Sequence, residues 1–215
     1  MASFQSLRKL DITEDLIIDT TIHGAIGQFQ DLRVLSICVR NDCSHLQGCL
    51  QALAELNIGG HIQSFLTATS PPHLQSLSLR FVHDPDPRTE TLLQCISAIP
   101  TAVPTTLSAL TLESELAFNP PIASVPDLIH PMLVFRALSD FMLKFRLLPS
   151  INDADILTML TAWPTLTTLR IAHDHTFRHP TSPLAPSRSS PPPPSLSRPR
   201  HRRSLTYTYF SPRHC

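Results

Sequence analysis

Seven times along this 215-residue chain a unit of the form Leu-x-x-Leu-x-(Leu/Ile) returns, and no other feature restricts the fold as much. The copies begin at Leu7, Leu32, Leu53, Leu74, Leu107, Leu138 and Leu166, the sixth carrying Phe141 where the others carry a second leucine. In each copy the fourth and sixth positions alternate with mostly polar residues, which puts both on one face of a short strand. The first leucine anchors the chain as it enters that strand. One copy has too little apolar surface to bury itself, so the copies must stack and pool their leucines into a continuous core.

Successive first leucines are 25, 21, 21, 33, 31 and 28 residues apart. A leucine-rich repeat takes about 20–29 residues for one strand and one helical or 3₁₀ return, so four strides fit and two need inserted loops. The intervals carry helix signals. Ile22, Ile26 and Phe29 fall on one helical face, and Ser44 is placed to cap a helix bearing Leu46, Leu50 and Leu53. A third helix holds Ile62, Phe65 and Leu66 between Gly60 and Pro71-Pro72. Asp86-Pro87 reads as the start of a fourth, with Leu92, Leu93, Ile96 and Ile99 before Pro100. Asn152 or Asp153 caps a fifth with Ile156, Leu157 and Leu160, stopped by Pro164; the proline-bearing stretch 113–131 reads as irregular.

The expected fold class is therefore α/β: an irregular leucine-rich-repeat solenoid, parallel strands on its concave side and helices or loops on its convex side. An ordinary α/β domain with leucine-rich strands is the alternative. The regular repeat also places Asn or Cys at the third residue after the last apolar position. Here those positions hold Asp15, Arg40, His61, Val82, Glu115, Arg146 and Asp174. Without an asparagine ladder, the turns need other hydrogen-bond partners.

The formal charge is zero overall but unevenly divided. Residues 1–174 hold 10 Lys/Arg against 17 Asp/Glu, whereas 175–215 hold seven arginines and no acid. Nine of the 21 prolines also fall after Asp174. This gives a repeat domain over 1–174 and a Pro/Ser/Arg-rich tail over 175–215, too poor in apolar surface to offset the entropy of ordering, hence disordered. The first residues lack the apolar core of a secretory signal, and no apolar run approaches the roughly 18 residues of a membrane span. Five cysteines without framework spacing suit a reducing compartment, so cytoplasm or nucleus is expected.

Chemistry-bearing clusters are weak. Cys38, Cys43 and Cys49, with His45 among them, lack the close pairs of a structural zinc site and read as buried or half-buried thiols. His173, His175 and His179 lie where the tail begins and read as exposed. The five glycines form no phosphate loop and no nucleophile elbow. Asp84/Asp86 and Asp153/Asp155 sit at turn and helix-start positions, where carboxylates cap N–H groups. No catalytic residue, metal ligand or cofactor site is assigned. In the tail, Pro191–Pro194 could meet a polyproline-binding groove, and Arg198–Arg203 could meet nucleic acid; an unselected extension explains both equally well.

The runs 138–145, 151–155 and 162–171, the last reading Ala-Trp-Pro-Thr-Leu-Thr-Thr-Leu-Arg-Ile, resemble the leucine-rich-repeat region of fungal F-box proteins. That resemblance spans residues 1–174. It implies a substrate-receptor role in a cullin-type ubiquitin ligase, the repeats holding the target and an F-box holding the adaptor. Leu7 already belongs to a repeat, so no F-box of roughly 40 residues precedes it, and adaptor binding is carried over to no residue.

If the leucines face inward, the strand residues between them face outward: Lys9, Asp11, Glu55, Asn57, Ser76, Ser78, Arg80, Thr111, Glu113, Asp140, Lys144, Thr168 and Arg170. This mixed-charge face is the expected binding surface for an unidentified protein target. Membrane partners are not expected. A rival reading gives the Arg-rich tail a nucleic-acid role. Another treats the chain as a gene fragment without independent function, since its first copy has no polar cap.

Overall fold

Each leucine unit forms a strand, and the strands lie side by side in chain order. The computed structural model describes residues 6–16, 25–26, 28–39, 43, 46–82, 88–173 and 206–210, with the backbone alone for 13–16, 173 and 206–210. The strands are β1 (Lys9–Leu16), β2 (Val34–Val39), β3 (Glu55–Gly60), β4 (Ser76–Phe81), β5 (Ala109–Ser114), β6 (Asp140–Phe145) and β7 (Thr168–His173). All six successive pairs are parallel. An eighth strand, β8 (Thr206–Phe210), joins β7 antiparallel. The remainder of 175–215, and with it most of the expected disordered tail, lies outside the described residues.

Register makes the leucine unit a physical repeat. Leu10, Leu35, Leu56, Leu77, Leu110, Phe141 and Leu169 occupy one row across the sheet. Ile37, Ile58, Leu79, Leu112, Leu143 and Ile171 form the next. Except for the half-buried Leu10 and Ile171 at the two ends, these side chains are buried, as are the first leucines from Leu32 to Leu166. A buried leucine or isoleucine contributes about 1.5–3 kcal/mol by leaving water.

The helices form a second layer on this leucine face. They are α1 (Ile62–Thr69), α2 (Thr89–Ala102), α3 (Val125–Ile129) with a following 3₁₀ turn (His130–Val134), and α4 (Asp153–Ala162). α1 packs on α2, α2 on α3 and the 3₁₀ turn, and α4 on that same turn. α1 buries Ile62, Phe65 and Leu66 as its spacing predicts. α4 starts in a capping box, with Asn152 Oδ1 accepting from Asp155 N and Asp155 Oδ2 accepting from Asn152 N.

Several expectations need correction. The segment 46–54 forms turns rather than a helix, because Gly48 and Leu50 take left-handed backbone angles of φ 76° and 64°. α2 runs through Pro100 to Ala102, since a proline in the last turn forfeits only one intrahelical bond. Its N-cap is Arg88; Asp86 and Pro87 lie outside the described residues, as do Ser44 and half of the Ile22–Phe29 interval. The stretch 113–131 is not wholly irregular, because Ser124 caps the short α3 by accepting from Asp127 N. On α4 the buried residues are Asp155 and Met159, while Leu157 is 65% exposed.

At the turns after the strands, where asparagines would stand, His61 N donates to Val39 O, Arg146 N to Ser114 O and Leu116 N to Ser114 Oγ. A separate set of bonds lies at the opposite strand ends. At the entrance to each strand one backbone carbonyl accepts two N–H groups from the next copy. Arg8 O receives Arg33 N and Val34 N, and the pattern repeats at Arg33, Ala54, Gln75, Ser108 and Ser139. Over the last copies hydroxyls strengthen it: Ser108 Oγ donates to Gln75 O, Ser139 Oγ to Ser108 O, and Thr167 Oγ1 to Ser139 O. A ladder at the strand entrances thus ties neighbouring copies together.

Candidate functional site

The face of the sheet opposite the helices is covered by no other element among the described residues, and its side chains fall into three rows. Nearest the strand entrances run Lys9, Val34, Glu55, Ser76, Ala109, Asp140 and Thr168. The middle row is Asp11, Ser36, Asn57, Ser78, Thr111, Met142 and Arg170. Nearest the exits, Cys38, Gly59, Arg80, Glu113, Lys144 and Ala172 are in register. Successive rows stand roughly 6.6 Å apart, and neighbouring strands roughly 4.8 Å.

All the residues expected on the outward face lie in these rows, and none is buried. Lys9, Asp11, Glu55, Arg80, Asp140, Lys144 and Arg170 are exposed; Asn57, Ser76, Ser78, Thr111, Glu113 and Thr168 are half-buried. Val34, Ser36, Cys38, Ala109 and Met142 share the face as well, marked by the same alternation. The β2 copy presents no charged residue here.

Four contacts order the face. Glu113, with its side chain only 17% exposed, lies between Arg80, at 3.8 Å from Nε to Oε2, and Lys144, whose Nζ bonds its Oε1. Its charge is met within the triad, leaving a net positive exit row over β4–β6. In the middle row Asn57 Nδ2 donates to Ser36 Oγ at 3.4 Å. At the entrance, Ser139 Oγ also lies 2.8 Å from Asp140 Oδ2, so its single proton is shared between that carboxylate and Ser108 O.

Among the described side chains the face carries the charges of Lys9, Arg80, Lys144 and Arg170 against those of Asp11, Glu55, Glu113 and Asp140. Such a balanced surface is not the single-sign field that binds a phosphate backbone. The triad's one carboxylate is bound by two cations.

Elsewhere the residues singled out for chemistry are dispersed or packed. Cys43 is buried, and Cys38 and Cys49 are half-buried. Asp155 serves the α4 cap. His45, Asp84, Asp86, His175 and His179 lie outside the described residues, as does the side chain of His173. Among the described residues no group of three or more His, Cys, Asp or Glu could hold a metal ion, and no helix is long and apolar enough to cross a membrane.

Cys95, buried on α2, is a thiol held neutral: burial pushes its pKa up to about 12. The thiolate is the reactive form, so this residue is no nucleophile at neutral pH. The unfolded chain gives up that proton near pH 9, while the folded chain keeps it. Stability therefore declines as pH rises through this window, by up to about 1.4 kcal/mol per unit from this group. Urea unfolding at pH 8 and 10 is expected to show wild type losing about 1–2 kcal/mol more than Cys95→Ala; parallel losses would contradict the assignment.

Comparison with protein-family models, with curated proteins and with solved structures finds no match to this chain.

Proposed function

We propose that the chain is an irregular leucine-rich-repeat solenoid and that its open strand face recognises a protein partner without catalysis. The observation that carries this reading is a parallel run of seven strands, β1–β7, with one face covered by no described element. Parallel sheets are ordinarily covered on both faces, because their crossovers place helices on each side. Here the buried apolar residues of the four helices share one core with the strand leucines, and the other face keeps an alternating polar pattern. The strand order runs from β1 to β7 without reversal, so the sheet lacks the switch-point crevice where doubly wound folds hold nucleotides. A stack that advances by one strand per copy accounts for both features.

Such a stack offers a broad, shallow ribbon in place of a pocket, and the ribbon suits another macromolecule. The resemblance to fungal F-box repeat regions supports one form of this role: holding a target for ubiquitin transfer, in the cytoplasm or nucleus. In that setting the adaptor-binding element would belong to residues other than those of the ribbon.

Charge reversal at Glu55, Arg80, Glu113 and Arg170 is the direct test. A variant with the wild-type circular dichroism spectrum and unfolding midpoint is expected to lose co-purifying partners at least tenfold. Unchanged capture by that folded variant would sink the reading.

A further inference from the structure

Resting on the reading of the open face as a recognition surface, we infer that its partner is an α-helical protein segment with a basic and an acidic side chain spaced to match opposite ends of strands β3–β6. At the strand entrances over these four strands, Glu55 and Asp140 are the charged residues, both exposed. At the exits the triad of Arg80, Glu113 and Lys144 presents net positive charge, with both cations about half exposed. The row between them, Asn57, Ser78, Thr111 and Met142, carries no charge.

The entrance and exit rows are four residues apart, roughly 13 Å along the strands. This separation of opposite charges is fixed by backbone register, not by mobile side chains alone. A ligand of one sign would gain at one row and be repelled at the other. A ligand with both signs gains at both.

A helix meets this geometry better than an extended strand. The face offers side chains only, while an extended segment needs partners for its own N–H and C=O groups and finds them at a sheet edge. A helix satisfies its backbone internally. Residues seven apart on it lie on the same side and roughly 11 Å apart along the axis, and their side-chain reach covers the remaining difference. A lysine or arginine then meets Glu55 or Asp140, which stand three strands apart, while a glutamate or aspartate meets Arg80 or Lys144 on either side of Glu113.

Three biotinylated helical peptides of about 18 residues test this on sensor surfaces at equal density and low salt. One carries lysine and glutamate at i and i+7, one lysine at both positions, and one glutamate at both. The full chain is expected to bind the mixed peptide about fivefold more tightly than either other, the scale of one exposed ion pair. The double variant Glu55→Lys/Asp140→Lys is expected to prefer the double-glutamate peptide, and Ser78→Trp, which fills the uncharged row, to weaken binding to every peptide. Equal binding of all three peptides, still blocked by Ser78→Trp, would overturn the charge-ordered helix while leaving the face as a recognition surface. Failure of all three to bind, or binding indifferent to Ser78→Trp, would overturn the inference and count against the face itself.

Discussion

Replacing Gly60 by alanine is expected to cost about 3 kcal/mol or more, enough to leave much of the protein unfolded or insoluble. Gly60 closes β3 with φ +82°, and an added Cβ would stand 1.9 Å from the Val39 carbonyl oxygen. That oxygen already accepts the His61 N–H at 2.8 Å, so relieving the clash means breaking the bond that leads the chain from β3 toward α1. Gly59 provides the internal scale. A Cβ there meets Arg80 O, Cys38 Sγ and Val82 Cγ2 at 3.3 Å each, so the neighbours must yield by a few tenths of an ångström. Gly59→Ala is accordingly expected to cost about 1 kcal/mol, within the common range for single substitutions. Urea midpoints of the two variants measure the difference; equal midpoints would show that the β3 exit is not built as described.

The second large effect is expected at Trp163, the single tryptophan of the chain. It is 1% exposed, its ring lies 4.7 Å from that of Phe141, and its Nε1 donates to Met132 O at 3.2 Å. One side chain therefore joins the end of α4, the strand β6 and the 3₁₀ turn. Trp163→Ala empties a large buried volume and should cost about 3–5 kcal/mol. Trp163→Phe keeps much of the ring contact and removes one of two donors to Met132 O, which still accepts from Phe135 N, at a cost of about 0.5–1.5 kcal/mol for the lost bond. The ordering of wild type, Phe and Ala by circular-dichroism melting is the result to check. A phenylalanine variant as unstable as the alanine variant would mean that the hydrogen bond, not the packing, dominates here.

These two positions mark what the sequence makes legible. The seven strands can be read directly, because the alternation of Leu35, Ser36 and Ile37 or of Leu110, Thr111 and Leu112 is a local signal with a local cause. The same alternation picks out the open face. Segment 46–54 defeats the helical reading, since Leu46, Leu50 and Leu53 have helical spacing while Leu50 itself adopts a left-handed backbone. Leu157 misleads similarly: its spacing suits an inward face, but on α4 the buried positions are Asp155 and Met159.

What escapes sequence reading is what depends on distance along the chain. Arg80, Glu113 and Lys144 are separated by 33 and 31 residues, and only strand register makes them neighbours. The hydroxyl ladder of Ser108, Ser139 and Thr167 has the same origin. Once the copies are aligned by their leucines, both become columns of that alignment. An aligned repeat can thus reveal cross-strand chemistry that single motifs hide.

The central claim is that the open strand face, and not the helical side, meets another protein. A photo-crosslinking residue placed at Ser78 or Thr111 in cells, compared with one at Thr158 on α4, measures this most directly. The expected result is a discrete protein adduct from both face positions, lost on charge reversal at Glu55 and Arg80, and none from Thr158. Adducts from Thr158 alone, or the same adducts from all three positions, would contradict it.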